Sequence, residues 1–308
     1  MILCLGTTPT VQRTMVFSKF TLDVVNRARE VTEYASGKSA NVARILHGLG
    51  LEVLELGFLG GRRGEFFRED FSRAGIPHDF VTVPAQTRLC TTIIDESSGV
   101  VTELVEESPA LPPEAYESLF ARYAAALREA QIIVLSGSLP PGAPQDFYAR
   151  CVRSAGPQRP VILDAVGQPL LEALPQRPTV VKPNVSEMAR TLGMPIETDD
   201  AIREGMKRLV QLGAGWVIVT RGKAGTLISD GKNFWRIDTP GVKVISPIGS
   251  GDAFAAGLTA GLVREQNVPE ACRLAVACGA ANAMTPHSGH LNVVDVRPIL
   301  DRVKLVAL

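Results

Sequence analysis

The sequence predicts an α/β fold in which helices cover both faces of a mostly parallel central sheet, with a small β-sheet lid added. Short, almost continuously apolar runs, typical of buried parallel strands, alternate with helical patterns over most of the 308 residues. Two stretches, at about 12–35 and 88–106, instead show strand pairs with no helix between them. We therefore expect one domain over residues 1–308, with the lid strands inserted at these two places.

The individual elements follow from the spacing of apolar residues and from turn residues. Seven apolar runs predict core strands at 2–6, 53–59, 132–135, 161–164, 179–182, 216–220 and 225–229. Recurrence at three and four residues predicts nine helices at 40–49, 64–74, 113–129, 145–154, 186–192, 198–212, 253–265, 268–284 and 294–303. The lid strands are predicted at 13–17 with 29–34, and at 89–94 with 100–105.

Composition excludes several classes of partner. The chain carries 32 basic and 32 acidic residues, so no excess charge favours nucleic acid or an anionic membrane. No apolar run approaches the roughly 18 residues of a spanning helix, and the first residues lack the basic region of a signal peptide. The five cysteines are scattered without C-x-x-C spacing, which indicates reduced thiols and predicts a cytoplasmic location.

The most informative segment is 246–254, where Gly249, Ser250 and Gly251 precede Asp252 and a helix of small apolar residues. A helix start offers free N–H groups and the positive end of the helix dipole to an anion. A carboxylate there can take a proton from a hydroxyl, which together with the amides suits phosphoryl transfer to an alcohol. The alternative is a glycine-rich turn in which Asp252 only favours the first helical turn.

Two further glycine-containing segments have the character of ligand loops. Gly37, Lys38 and Asn41 open an amphipathic helix, and the Gly-Lys-Ser sequence is not a P-loop because Thr32 stands where that motif needs glycine. Ser136 and Ser138 follow a buried strand, in the kind of loop where α/β sheets bind ligands. Taken alone, the segment from Gly37 to Asn41 is better explained as an ordinary capped helix, and the loop with Ser136 and Ser138 is only weak evidence for a site.

Two later segments also allow two interpretations. Lys182 is followed by Asn184 and Glu187, whose spacing predicts either a helix capping box or ligands that hold Mg²⁺, through water, beside a nucleotide. The stretch from Thr220 to Gly225 predicts either a hairpin turn or a nucleotide contact.

Taken in order, these five motifs resemble the ribokinase-like (PfkB) sugar kinases, from Leu5 to about Asn292. The resemblance implies the ribokinase-like three-layer α/β/α sandwich with a β lid, ATP as co-substrate and Mg²⁺ as cofactor. It implies that Asp252 is the general base and that the amides of Gly249, Ser250 and Gly251 form the anion hole. It assigns nucleotide-binding roles to Lys182, Asn184, Glu187, Thr220, Gly222, Gly225 and Asn282, the last near the adenine.

Within the family, the chain is most similar to the branch of 1-phosphofructokinase and tagatose-6-phosphate kinase. The supporting residues are Arg27 in Val-Asn-Arg-Ala, the Gly37-Lys38 pair, Thr87-Arg88 and the Ser-Gly-Ser-Leu-Pro-Pro-Gly loop. Arg27, Lys38 and Arg88 are predicted to converge on a substrate phosphate. For Arg27 and Arg88, edge-strand charge that discourages aggregation is the alternative.

One departure from the branch concerns the residues that recognise the sugar. The branch usually begins with Asn-Pro-x-x-Asp, whereas residues 8–12 are Thr-Pro-Thr-Val-Gln, so Gln12 replaces a carboxylate. We therefore expect a working kinase of uncertain sugar preference. The predicted substrate-binding residues are Gln12, Arg27, Gly37, Lys38, Asn41, Arg88, Ser136 and Ser138.

The predicted activity is transfer of the ATP γ-phosphoryl group to a hydroxyl of a ketohexose phosphate, of the fructose 1-phosphate or tagatose 6-phosphate type. One alternative is a kinase of an unphosphorylated sugar or nucleoside, which Gln12 leaves open. Another is a non-catalytic sugar-phosphate sensor, which the intact Asp252 disfavours because a binder needs no base. The resemblance also implies a homodimer formed through the lid.

Overall fold

The computed structural model describes residues 1–264 and 266–308. Within these ranges fourteen strands form: β1 (Ile2–Gly6), β2 (Thr10–Phe17), β3 (Glu30–Ser36), β4 (Val53–Leu59), β5 (His78–Thr82), β6 (Arg88–Asp95), β7 (Val100–Val105), β8 (Ile132–Ser136), β9 (Val161–Asp164), β10 (Val180–Val181), β11 (Trp216–Thr220), β12 (Thr226–Ser229), β13 (Phe234–Ile237) and β14 (Leu305–Ala307). The same ranges contain ten α-helices: α1 (Lys38–Gly48), α2 (Gly61–Arg73), α3 (Pro113–Ala126), α4 (Phe147–Ala155), α5 (Gln168–Ala173), α6 (Val185–Leu192), α7 (Asp199–Gln211), α8 (Ser250–Val263), α9 (Val268–Ala283) and α10 (Val293–Leu300).

The main sheet has ten strands in the order β14-β13-β12-β11-β10-β9-β8-β1-β4-β5. The seven strands from β11 to β5 pair in parallel, and β12, β13 and β14 add an antiparallel edge. Successive residues of β1 belong to two different apolar cores, Cys4 to one and Leu3 and Leu5 to the other. Because side chains of a strand alternate between faces, helices pack on both sides of the sheet. The predicted mixed α/β architecture is confirmed.

The lid is a separate four-stranded sheet in the order β3-β2-β6-β7. Its outer pairs are antiparallel, while β2 and β6 are parallel. The register places Gln12 opposite Cys90 and Cys90 opposite Val105, so these side chains share one face, which we call the inner face. The four strands lie at the two predicted insertions, and the description of the chain as one domain stays a prediction.

Four elements were not predicted: β5, β13, β14 and α5. They are short, between three and six residues, and β5 and β14 form the edges of the main sheet, where one side of the strand has no neighbour and apolar patterning weakens. The predicted helix 253–265 begins three residues earlier, at Ser250, and its predicted last residue, Glu265, lies outside the described residues. The earlier start places the glycine-rich motif in the first turn of α8.

In the described ranges no helix has both the length and the apolarity needed to cross a membrane.

Glu55 is an acidic residue inside the apolar core. It lies on β4, is 2% exposed, and accepts a hydrogen bond of 2.8 Å from the hydroxyl of Ser39 in α1. Burial raises the pKa of Glu55 well above its ordinary value, although the Ser39 hydrogen bond opposes the shift. The pKa of Glu55 is therefore higher in the folded than in the unfolded state. The stability that Glu55 contributes is fully present below the unfolded-state pKa of about 4.3. It is lost as the pH rises through the folded-state pKa.

We expect Glu55→Gln to remove this pH dependence. The free energy of unfolding of the variant should exceed that of the wild type by an amount that grows with pH, by up to about 1.4 kcal/mol per pH unit. Urea denaturation from about pH 5 to about pH 8 measures the difference. Glu107→Gln, at an exposed carboxylate, is the control and should show no such trend. A Glu55→Gln difference independent of pH would contradict the prediction.

Candidate active site

A cavity of about 380 Å³ lies between the lid and the carboxyl ends of the parallel strands. Asp164 ends β9, Lys182 follows β10 and Thr220 ends β11, and all three line the cavity. Lid residues Gln12 and Arg88 line its other side. Loops at the carboxyl ends of parallel strands are where α/β sheets bind ligands.

The start of α8 lines the cavity with backbone amides. Gly249, the residue before the helix, has φ 81°, and a Cβ there would lie 2.8 Å from Ser288, so glycine is required. The amide of Ser250 donates to the Pro247 carbonyl at 3.2 Å. The amides of Gly249 and Gly251 have no backbone partner among the described residues. Of the three predicted anion-hole amides, two are therefore available to a ligand, and the Ser250 amide is engaged.

Asp252 follows in the first turn of α8 and is 8% exposed. Its Oδ2 accepts a hydrogen bond of 2.7 Å from the side-chain amide of Asn41 on α1. Burial raises the pKa of Asp252 to about 6, with Lys38 and the Asn41 hydrogen bond acting in the opposite direction. A carboxylate with this pKa is ionised at neutral pH and basic enough to take a proton from a hydroxyl.

Asn41 is itself held by the lid. The hydroxyl of Ser36 in β3 donates to Asn41 Oδ1 at 2.9 Å and lies 3.0 Å from the hydroxyl of Ser288. The Tyr34 hydroxyl accepts a hydrogen bond of 2.9 Å from the Ser288 amide. These contacts fix the Asn41 carbonyl oxygen, so the amide nitrogen is directed at Asp252.

A cluster of alternating charges forms the cavity floor. The Lys38 ammonium lies 3.0 Å from Asp164 and 3.2 Å from Glu187, and the buried Lys182 ammonium lies 3.0 Å from the other Asp164 oxygen. Burial acts to raise the pKa of Asp164, but Lys182 and Lys38 outweigh it and lower the value to about 2. Burial lowers the pKa of Lys38, whereas the charges of Asp164 and Glu187 raise it more. Asp164 and Lys38 are therefore both charged at neutral pH.

The capping box predicted at Asn184 and Glu187 is present. Asn184 Oδ1 accepts from the Glu187 amide at 2.8 Å, and Glu187 Oε2 accepts from the Asn184 amide at 2.9 Å. Both residues also line the cavity, so the structural and the ligand-binding interpretations are compatible. Gly222 and Gly225 lie in the turn after Thr220, outside the residues that line the cavity.

The structure contradicts the predicted position of Asn282. Its side chain is 0% exposed, donates to the Ile248 carbonyl at 2.9 Å and accepts from the Gly289 amide at 3.0 Å. Asn282 therefore joins the anion-hole loop to the 285–290 segment, and no face of it is free for an adenine ring.

Three predicted substrate residues also lie away from the main cavity. Ser138 is exposed outside the cavity lining, and Ser136 is buried beside a much smaller space of about 10 Å³ that Glu55 also lines. Arg27 is exposed in the segment between β2 and β3 and does not line the cavity. The predicted convergence of three cations is therefore wrong within this one chain. Lys38 contacts carboxylates, and Arg88 donates to the Thr8 and Glu106 carbonyl oxygens.

Gln12 and Gly37 lie at the predicted site. Gln12 is 2% exposed, and its amide nitrogen donates to the Thr92 hydroxyl at 2.8 Å. Gly37, before α1, has φ 118°, and a Cβ there would lie 3.0 Å from the Pro9 Cα atom.

Sequence reasoning missed Asp164 and Glu103, both of which line the cavity. The signal for Asp164 was a charged residue at the end of a buried strand; Glu103 gave no signal in the sequence.

Comparison with solved structures gives the same fold. Phosphofructokinase-2 from Escherichia coli, solved in complex with fructose-6-phosphate, is 26% identical and superimposes with a TM-score of 0.85 over 97% of this chain and 98% of that one. The same enzyme, solved in complex with potassium, gives a TM-score of 0.87 at 25% identity over the same shares of the two chains. A possible 1-phosphofructokinase from Thermotoga maritima matches over 100% of this chain and 99% of its own, with a TM-score of 0.91 at 22% identity.

The architecture of the chain is the ribokinase-like fold of these neighbours, with its large, mostly parallel sheet and small lid sheet. The model of the family described as pfkB family carbohydrate kinase matches residues 1–292, which is most of the chain and includes every motif considered above. The chain therefore belongs to the pfkB family of carbohydrate kinases.

Proposed function

We propose that this protein transfers the γ-phosphoryl group of ATP to a hydroxyl of a ketohexose phosphate, of the fructose 1-phosphate or tagatose 6-phosphate type. The observation that carries the proposal is Asp252, directed by Asn41 and adjacent to the free amides of Gly249 and Gly251 in one cavity. ATP as co-substrate follows from membership of a carbohydrate kinase family. A ketohexose phosphate as acceptor is supported by the fructose-6-phosphate bound to the Escherichia coli neighbour.

In the proposed reaction Asp252 takes the proton of the acceptor hydroxyl as its oxygen bonds to the γ-phosphorus. The bond from that phosphorus to the bridging oxygen breaks, and ADP leaves with the electron pair. The amides of Gly249 and Gly251 donate to the charge that develops on the transferred group. Lys182, whose ammonium lies close to Gly251, adds positive charge at the same place.

The residues present fit a Mg²⁺ ion that enters with the nucleotide. Asp164 and Glu187 offer carboxylate oxygens, both within 3.2 Å of the Lys38 ammonium, and carboxylates are ligands that Mg²⁺ prefers. In the described part of the chain no group of three or more His, Cys, Asp or Glu residues could hold a metal alone. One or two carboxylates plus substrate phosphates is the usual arrangement for Mg²⁺, and we propose that Glu187 contributes through water. When bound, the ion neutralises phosphate charge.

The test is ADP release with Mg·ATP against fructose 1-phosphate, fructose 6-phosphate, tagatose 6-phosphate, fructose, ribose and adenosine. Turnover confined to the phosphorylated ketohexoses supports the proposal and identifies the acceptor. Turnover only with fructose, ribose or adenosine would support the second candidate, a kinase of neutral acceptors. Gln12 leaves that candidate open, because a neutral amide replaces the carboxylate expected to bind the sugar.

We also propose a homodimer formed through the lid and a cytoplasmic location. The proposed interface is supported by Val31 and Leu104, both 53% exposed on the lid face opposite Gln12. The double variant Val31→Glu/Leu104→Glu is expected to elute at the monomer mass in size-exclusion chromatography with light scattering, and the wild type at twice that mass. A wild-type monomer would contradict the proposed dimer.

The buried, reduced cysteines support the proposed cytoplasmic location.

A further inference from the structure

The lid contributes one carboxylate to the cavity, that of Glu103 on β7. Four carboxylates line the cavity in the described part of the chain, and the other three already have partners. Asp164 pairs with two lysines, Glu187 with Lys38, and Asp252 with Asn41. Glu103 forms no hydrogen bond or ion pair with another described residue, and its side chain is exposed at the cavity wall. Glu103 is therefore the one of these four carboxylates that has no side-chain partner among the described residues.

The surroundings of Glu103 connect it to Gln12, the position where the branch of 1-phosphofructokinase and tagatose-6-phosphate kinase usually has an acid. Thr92 of β6 lies directly opposite Glu103 in the lid register. The same Thr92 hydroxyl accepts the hydrogen bond from Gln12, so Gln12 and Glu103 flank one threonine on the inner face. Gln12 is anchored there by its amide nitrogen and carries no charge. In this chain a carboxylate of the inner face therefore lies on β7, two strands or about 10 Å from the neutral Gln12 on β2.

The charges around Glu103 indicate which part of a sugar phosphate it faces. A carboxylate repels a phosphate group and accepts hydrogen bonds from hydroxyl groups. Desolvation raises the pKa of Glu103, and the charge of Arg88 on β6 opposes this shift. A hydroxyl of the acceptor is therefore the group that Glu103 can bind, whereas the acceptor phosphate is repelled by this carboxylate.

We propose that Glu103 determines acceptor specificity by accepting hydrogen bonds from sugar hydroxyls, in place of the carboxylate that Gln12 lacks. This inference rests on the proposed function of the cavity as a sugar-phosphate site. The expected contribution is large, because a hydrogen bond to a charged group contributes more to binding than a neutral one.

The experiment compares Glu103→Gln with Glu107→Gln, a matched control at an exposed carboxylate outside the cavity. Calorimetry without ATP measures the affinity of each variant for fructose 1-phosphate, fructose 6-phosphate and tagatose 6-phosphate. We expect Glu103→Gln to weaken binding of the preferred sugar phosphate by about 10- to 100-fold, while Glu107→Gln matches the wild type. The KM for ATP should stay within about twofold in both variants, since Glu103 lies on the lid.

Monodeoxy analogues of the preferred sugar phosphate provide a second readout that a loss of folding cannot imitate. Removing the hydroxyl bound by Glu103 should weaken binding to the wild type and have little further effect on Glu103→Gln. The inference would be overturned if Glu103→Gln and Glu107→Gln bound the sugar phosphates with equal affinity. It would also be overturned if every analogue lost the same affinity for the wild type as for Glu103→Gln. Binding of a sugar phosphate without turnover would contradict only the proposed function. The ratio of the sugar-phosphate affinities of Glu103→Gln and Glu107→Gln would still decide the role of Glu103. A wild type that binds none of the three sugars would overturn both.

Discussion

Replacing Asp252 by Asn is expected to lower kcat by about 10²- to 10⁴-fold and to leave sugar-phosphate affinity nearly unchanged. Asparagine has the shape of aspartate and can still accept the Asn41 hydrogen bond through its carbonyl oxygen, but it cannot take a proton. Initial rates measure kcat, and calorimetry without ATP measures binding. Asp301→Asn, at a carboxylate 59% exposed on the surface, is the control and should behave as the wild type.

The same prediction separates a kinase from a sensor. A non-catalytic binding protein would show no turnover in the wild type and would be indifferent to Asp252→Asn. The pH profile gives an independent check: with a pKa of about 6, Asp252 is protonated below that pH and can no longer act as a base. The rate should therefore fall about tenfold per pH unit below pH 6 and level off above it. A rate independent of pH from about 5 to 8 would exclude Asp252 as the base.

The second large effect is expected at Asp164, on stability. Its two oxygens pair with Lys38 and Lys182, and both Asp164 and Lys182 are less than 5% exposed. Asp164→Asn leaves the Lys182 ammonium buried without a counter-charge, whereas Lys38, 35% exposed, can turn to water. Breaking a buried ion pair in this way typically costs about 3–5 kcal/mol, so we expect a loss of that size in the free energy of unfolding. Urea denaturation at neutral pH measures it.

The control for Asp164→Asn is the double variant with Lys182→Met. Removing both charges removes the uncompensated ammonium, so the double variant should be more stable than Asp164→Asn alone. Two results would show that the pair does not act as a buried ionic unit. One is a loss of less than about 1 kcal/mol in the free energy of unfolding of Asp164→Asn. The other is a double variant whose loss equals the sum of the losses of Asp164→Asn and Lys182→Met.

The fold was predictable to the extent that single segments carry their own pattern. The seven predicted strands and nine predicted helices are present because their periodicity is strong over the whole element. The missed elements depend on neighbours. β14 has only three residues, and they form a strand because β13 lies beside them. No local pattern distinguishes such a segment from a loop.

The site was predictable where glycine or a capping residue marks a loop, as at Gly249 and Asn184. It was not predictable where function depends on distant partners. Asn282 is on a buried helix, and only the fold shows that both its polar atoms are engaged by two loops. Glu103 lies on a strand of mixed polarity, and the lid register alone places it on the cavity side. Lys38 contacts acids rather than standing free because Asp164 and Glu187, far along the chain, meet it.

The junction between β3 and α1 has a mechanical consequence. The strand ends at Ser36 and the helix begins at Lys38, so Gly37, with φ 118°, is the only residue between the lid and the helix that carries Asn41. A single linking residue leaves little freedom between the two elements. If the lid tilts, either the backbone at Gly37 rotates or the first residues of α1 turn with the lid. Asn41, whose side chain donates a hydrogen bond to Asp252, is in that first turn. Movement of the lid and the orientation of the Asn41 amide toward Asp252 are thus coupled through one residue, Gly37.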